Sequence, residues 1–180
     1  MESLKILGVD LDDELNFSKH ISEVCKCSSQ KVGVILRLRN LIPTKAKLDL
    51  YKTSVLPQLT YCHTVWHFCK ASDRHKLERV QERALRAIFN TKAHSYEELF
   101  NRANLSTLYN RRLQDIAILM FKVKNNISPL YVNRIFETVD KGYGLRSADF
   151  HRPRFNTVQY GKQALRYFGP YIWQIEKSHL

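Results

Sequence analysis

Cys62, His63, His67 and Cys69 are the residues whose types suit metal ligation, with Cys25 and Cys27 further back. A tetrahedral zinc site needs four soft ligands that converge, usually from two closely spaced pairs. Cys62 and His63 are adjacent and diverge on any helix or strand, and His67 and Cys69 do not restore a standard pair. Buried cysteine used as a small hydrophobe is the commoner case, and the spacing favours it, with no metal. Asp10, Asp12 and Asp13 are a second cluster, since grouped carboxylates hold Mg²⁺ in polymerases. A solvated acidic turn accounts for them more simply. The seven histidines have no nucleophile elbow or glycine-rich phosphate loop beside them, so nothing argues for an independent enzyme.

The stronger chemical signal is cationic. Leu77, Val80, Ala84 and Ile88 recur at steps of three and four, which at about 100° per residue gives one narrow helical stripe. Arg79, Arg83 and Arg86 fall on the opposite stripe. Upstream, Lys19, Lys26 and Arg37 share one line, opposite Ile21, Val24, Cys25, Ser28, Val32, Ile35 and Leu36. Each such helix buries one face and offers the other to anions or to water. A solvated face explains Lys19 or Lys26 taken singly; the same arrangement on two helices favours anions. Nearer the C-terminus, Lys141, Arg146, Arg152, Arg154, Lys162 and Arg166 face a single acid, Asp149. They are interleaved with Tyr143, Phe150, His151, Phe155, Tyr160, Tyr167 and Phe168. Charge for phosphates and rings for bases is how single strands are bound. A tail pinned across a helical core by its aromatics uses the same residues, and both readings stay open.

Elements must hold these side chains in place. Leu4 to Leu11 is too short for a helix and apolar enough for a buried strand or hairpin, with Gly8 marking a close approach or a bulge. A long helix is expected from Ser18 to about Asn40. Another begins at Thr44, behind Pro43, and carries Lys45, Lys47, Leu48, Tyr51, Lys52, Val55 and Leu56 to a break or kink at Pro57. Leu59, Tyr61, Val65, Trp66 and Phe68 should be mostly buried. Ser72 and Asp73 offer an N-cap and a first-turn acid to the arginine-bearing helix. Ser95 and Glu98 spell a capping box ahead of a short helix from Tyr96 to Ala103. Ser106 should cap a longer helix, with Leu105, Leu108 and Ile116 to Phe121 in the core. Arg111 and Arg112 suit either a second basic spot or a salt bridge to Asp115. Pro129 fits a first helical turn leading Leu130, Tyr131, Val132, Ile135 and Phe136 into the core. Beyond Lys141, six glycines and prolines and little periodicity predict an irregular tail.

At 180 residues the chain can bury a real core, and 44% hydrophobic content is ordinary. A formal charge of +12 is not, and points to nucleic acid, an acidic partner or an anionic membrane surface. No apolar run approaches the ~20 residues that span a bilayer. The N-terminal residues lack the pattern of a signal peptide, so the four cysteines are expected to stay reduced inside the cell.

The string LYKTSVLPQLTYCHTVW, followed after a spacer by LERVQERALRAIF, resembles the region after the polymerase core in reverse transcriptases of non-LTR (LINE-like) retrotransposons. ILGVDLDDELNFSKHISEV is similar to that family's LGV-x-x-D-x-x-L-x-x-x-x-HI segment, which follows the catalytic aspartates. Near the C-terminus Tyr143, Leu145, Arg146, Pro153, Arg154, Thr157, Gly161, Lys162, Tyr167, Gly169, Pro170 and Trp173 match its terminal pattern, and IEKSHL departs from the expected N-x-L-P.

The resemblance implies a mainly α fold: a thumb-like helical bundle with a short N-terminal strand or hairpin and an irregular basic, aromatic tail. Residues 1–15 would end a palm, 16–136 form the thumb and connection, and 137–180 the tail. It implies a part of an RNA-directed DNA polymerase that grips a primer–template duplex, through Lys19, Lys26, Arg37, Arg79, Arg83, Arg86, Arg146, Arg154 and Lys162. The Tyr/Phe-Ala-Asp-Asp motif is absent, so no catalytic residue is assigned, and Mg²⁺ would belong to a palm lying outside these residues. The palm and fingers are then partners too, no membrane is involved, and the location is the nucleus or cytoplasm. The alternative is a helical protein-interaction module of the same ancestry, without a nucleic-acid role.

Overall fold

A computed structural model describes residues 4–91, 95–136, 150–155, 161–162 and 164–178. It is mainly α with an N-terminal hairpin, as expected. The elements are β1 (Leu4–Ile6), β2 (Val9–Leu11), α1 (Ser18–Arg37), α2 (Thr44–Leu50), a π-helical turn (Tyr51–Val55), α3 (Leu56–Thr60), α4 (Ala71–Phe89), α5 (Tyr96–Ala103), α6 (Leu108–Lys124), α7 (Leu130–Asn133) and α8 (Leu165–Ser178). They fall into two compact units, Met1–Arg112 and Leu113–Leu180.

In the first unit α1 packs along α4, and α4 along α5 and α2. Ile21, Val24, Val32 and Ile35 meet Leu77, Val80, Ala84 and Ile88 in one core with Tyr51, Val55, Leu59 and Trp66. The periodic stripes of both long helices are therefore their buried faces. His20, Gln81, Leu85 and Ala87 are buried beside them, without having been singled out by period.

The hairpin pairs Leu4 with Leu11 and Ile6 with Val9. Leu7 (φ 48) and Gly8 (φ 85) both take positive φ, the two-residue turn whose twist suits a hairpin. The Tyr61 hydroxyl donates to the Leu7 carbonyl at 2.7 Å. On the other strand, the Asp10 amide donates to His20 Nδ1 at 3.4 Å. Asp12 spends both oxygens on the backbone, accepting from Asn16 N at 2.8 Å and Phe17 N at 2.9 Å. Asp12 thus closes the turn that leads into α1.

Pro57 neither ends the helix nor leaves it regular. Lys47, Tyr51, Val55 and Leu59 are all buried, at a uniform step of four. In an α-helix each step of four drifts by about 40°, so three steps would carry the last residue off the face. The wide turn Tyr51–Val55 takes up that drift. It also relieves the clash that Pro57 would make one turn back. Lys31 of α1 donates to the Ser54 carbonyl at 3.0 Å and to Gln58 at 3.1 Å, holding the widened stretch.

Several local expectations are corrected. Helix α4 starts at Ala71 with Lys70 as N-cap and no side-chain cap, so Ser72 does not cap it. Asp73 is instead buried and bonds across to α1. The capping box of Ser95 and Glu98 forms as read. For α6 the capping hydroxyl is Thr107, which accepts from Asn110 N at 3.1 Å, rather than Ser106. Tyr61 and Val65 are exposed, as are Ile118 and Phe121 in α6. Leu130, Tyr131 and Ile135 are exposed too, so of the α7 region only Phe136 is buried, with Val132 half-buried against it.

In the second unit Met120, Val123, Phe136 and Phe150 form a small core, with Leu165 and Trp173 against it. Where an irregular tail was expected, Leu165–Ser178 is a helix that runs through Pro170. Gly169 fits there because a Cβ would come 2.6 Å from Met120 Sδ and 3.2 Å from Phe136. Of the tail aromatics, Phe150 is in the core, edge-on to Phe136 and Trp173. Arg152 sits between Tyr167 and Tyr171, 5.0 Å from each ring. For these residues the pinning of the tail by its aromatics describes what is observed. Lys141, Tyr143, Arg146, Asp149 and Tyr160 lie outside the described residues.

Candidate nucleic-acid interface

Helix α4 presents Arg79 and Arg83 to solvent because its other side is committed to the core. Neither arginine makes an ion pair or hydrogen bond among the described residues. Arg86, one turn on, is half-buried and held by Glu82 at 2.7 Å. Its charge is partly spent within the helix, as an i,i+4 pair spends it. On α1, Lys19, Lys26 and Arg37 are exposed. Lys26 lies 3.9 Å from Glu23, an exposed pair of little energetic weight.

The apolar stripes of α1 and α4 face each other, so the basic stripes opposite them look away from each other. The structure gathers Arg79, Arg83 and Arg86 on one helix face but does not add the α1 stripe to it. Arg154 and Lys162 are exposed in the second unit, while Arg146 lies outside the described residues.

Other cations read as basic in the sequence prove to be internal. Lys47 is buried and donates to the Arg39 carbonyl at 3.1 Å. Arg112 is 1% exposed, beside Trp66, so it is neither a surface spot nor bonded to Asp115. Sequence patterning missed both, because a helix period of 3.6 does not distinguish a buried cation from an exposed one at the edge of a stripe.

The residues weighed for zinc serve the core as well. His63 and His67 are buried around Trp66 and Tyr109, and Cys69 is buried. Among the described residues no group of three or more metal-binding side chains converges. All four cysteines are free thiols, and burial pushes the Cys25 thiol up to about 11. Asp73 joins α4 to α1, accepting from Ser18 Oγ at 2.6 Å and from Lys76 at 2.7 Å. Burial works against its charge, but Lys76 and Ser18 outweigh it and hold the carboxyl below its usual range. Among the described residues no helix is long and apolar enough to cross a membrane.

Two curated relatives match the chain. Over 90 residues it is 31% identical to the RNA-directed DNA polymerase from mobile element jockey of Drosophila melanogaster, covering 48% of this chain and 10% of that protein. Over 87 residues it is 29% identical to the probable RNA-directed DNA polymerase from transposon BS of the same fly, covering 47% and 10%. The matched segment thus spans about a tenth of each relative's length. The resemblance to mobile-element reverse transcriptases is borne out. No protein-family model and no solved structure matches the chain.

Proposed function

We propose that this chain is a reverse-transcriptase-like helical region that holds primer–template nucleic acid by its phosphate backbone and does no chemistry of its own. The observation that carries this reading is the outer face of α4. Arg79 and Arg83 stand exposed one turn apart, without acidic partners, opposite a fully buried stripe. Guanidinium groups so spaced can track phosphates along a strand, and no base-reading arrangement accompanies them. The α1 stripe, with Arg154 and Lys162, would add separate contacts. The similarity to two RNA-directed DNA polymerases supports the choice of nucleic acid over other anions. Binding of this kind belongs inside the cell, in nucleus or cytoplasm.

The catalytic Mg²⁺ site would lie in a palm, since Asp10 and Asp12 are already engaged by His20 and by backbone amides. The hairpin favours a palm as partner: Leu4 and Ile6 are exposed apolar residues on a strand with one free edge, and Leu7 is exposed in the turn that follows. The same surface would serve a protein-interaction module that binds no nucleic acid.

The test is a salt titration of binding to a primer–template duplex. Replacing Arg79, Arg83 and Arg86 with glutamine should flatten the slope of log K against log salt by about one for each phosphate no longer neutralised. An unchanged slope and affinity would remove α4 from the interface. Absence of duplex binding by the unaltered chain would favour the protein-interaction reading.

A further inference from the structure

The interior of the first unit holds a cation with nothing to bond. Arg112 lies in the early part of α6, 1% exposed, and none of Nε, Nη1 and Nη2 has a hydrogen-bond partner. Its guanidinium is 5.6 Å from the centre of the Trp66 ring and 5.9 Å from that of Tyr109. Ring faces attract the charge but do not satisfy the in-plane donors. A buried guanidinium usually forks onto a carboxylate, and leaving its donors unmet carries the full desolvation penalty.

The acids close by are already committed. Glu78 accepts from the Tyr96 hydroxyl at 2.8 Å and the Tyr109 amide at 3.2 Å. Asp73 is held by Ser18 and Lys76. Arg74 brings a second positive charge, 6.0 Å from the same Tyr109 ring. His67, stacked on Tyr109 at 5.8 Å, registers the resulting field: burial, then Arg112 and Arg74, press its pKa down to about 4. Two guanidinium groups therefore lie within 6.0 Å of the centre of one ring, and neither is ion-paired with a carboxylate among the described residues. A phosphate, with its extra oxygens and up to two negative charges, can meet both forks and balance both cations.

We propose that Arg112 and Arg74 form a binding site for one phosphate-class oxyanion, which enters past the partly exposed ring of Tyr109. The site is separate from the arginines of α4's outer face, and its test does not depend on them.

Thermal unfolding of the full chain should be followed against inorganic phosphate, with chloride holding the ionic strength constant. The midpoint should rise with log phosphate, as it does for a ligand that binds only the folded state. Arg112→Met should unfold no earlier than the unaltered chain without phosphate and show no rise with it. Arg74→Gln should need at least tenfold more phosphate for the same rise. No rise in the unaltered chain, or an equal rise in Arg112→Met, overturns the proposal. If Arg112→Met does not fold, phosphorus NMR titration of the unaltered chain against Arg74→Gln decides, and equal affinities overturn it. Competition then names the source of the phosphate. Displacement by a 5′-phosphorylated oligonucleotide alone means a strand end, displacement also by the unphosphorylated strand means a backbone phosphate, and displacement by neither means the free ion; each presupposes and so supports the site.

Discussion

The same side chain meets opposite fates on α4 and on α6. Arg83 and Arg79 on α4 are exposed, so their removal should leave no hole. Arg112 on α6 is enclosed by Trp66 and Tyr109, so charge and packing cannot be separated there. Both positions are arginines beside apolar neighbours in an amphipathic helix. The difference lies in what the rest of the chain brings over them: solvent in one case, the loop after α3 in the other. A sequence thus shows where a charge stands, and segments far along the chain decide whether that charge meets solvent or the core.

The two settings should part most visibly at Trp66. It is fully buried beneath Arg112, and its Nε1 donates to the Tyr61 carbonyl at 3.1 Å. Trp66→Ala should cost about 3–5 kcal/mol in denaturant unfolding, since it opens a large cavity and frees a guanidinium. A loss below about 1 kcal/mol would mean that the buried cluster collapses easily and is no different from a surface.

Acid sharpens the contrast next. His67 titrates near 6.5 when unfolded but about 4 when folded, so the unfolded chain takes up its proton first as pH falls. Stability that is full above pH 6.5 is therefore lost between 6.5 and 4, on the order of 3 kcal/mol in all. His20, whose pKa burial also lowers despite Asp10 beside it, acts in the same direction. Unfolding free energy measured across that window should flatten in His67→Gln, and replacing Arg79 and Arg83 should leave the curve unchanged.

The smallest effect belongs to the exposed face. Arg79→Gln with Arg83→Gln should move the unfolding free energy by less than about 0.5 kcal/mol. A larger loss would show that α4's outer face is built into the fold, and would erase the distinction between the two arginine settings.

What could be read from the sequence follows the same division. The core stripes of α1 and α4 and the capping box at Ser95 are local periodic signals, and the structure repeats them. Asp73, Lys47 and Gln81 were opaque because their burial depends on partners far along the chain. Asp73, for one, bonds Ser18 across 55 positions. Gly169-Pro170 reads as a breaker, yet the proline lies inside α8 and the glycine lets Met120 approach. Leu130 and Tyr131 look like core from their type alone, and are exposed because α7 has only one turn with which to face inward. For the candidate interface, the exposure of Arg79 and Arg83 on α4 was legible, whereas the seclusion of Arg112 was not.

The wide turn at Tyr51–Val55 has a consequence for how such chains can change length. It holds one residue more than a regular helix would need to keep Lys47 and Leu59 on the same side. That surplus residue lets Pro57 persist inside a continuous helical path. A descendant that deleted Lys52 or Thr53 would recover an unbroken helix in which the proline no longer fits. Deletions in this turn and replacement of Pro57 should therefore be inherited together, so that a lineage showing the first without the second would carry a bent or displaced third helix.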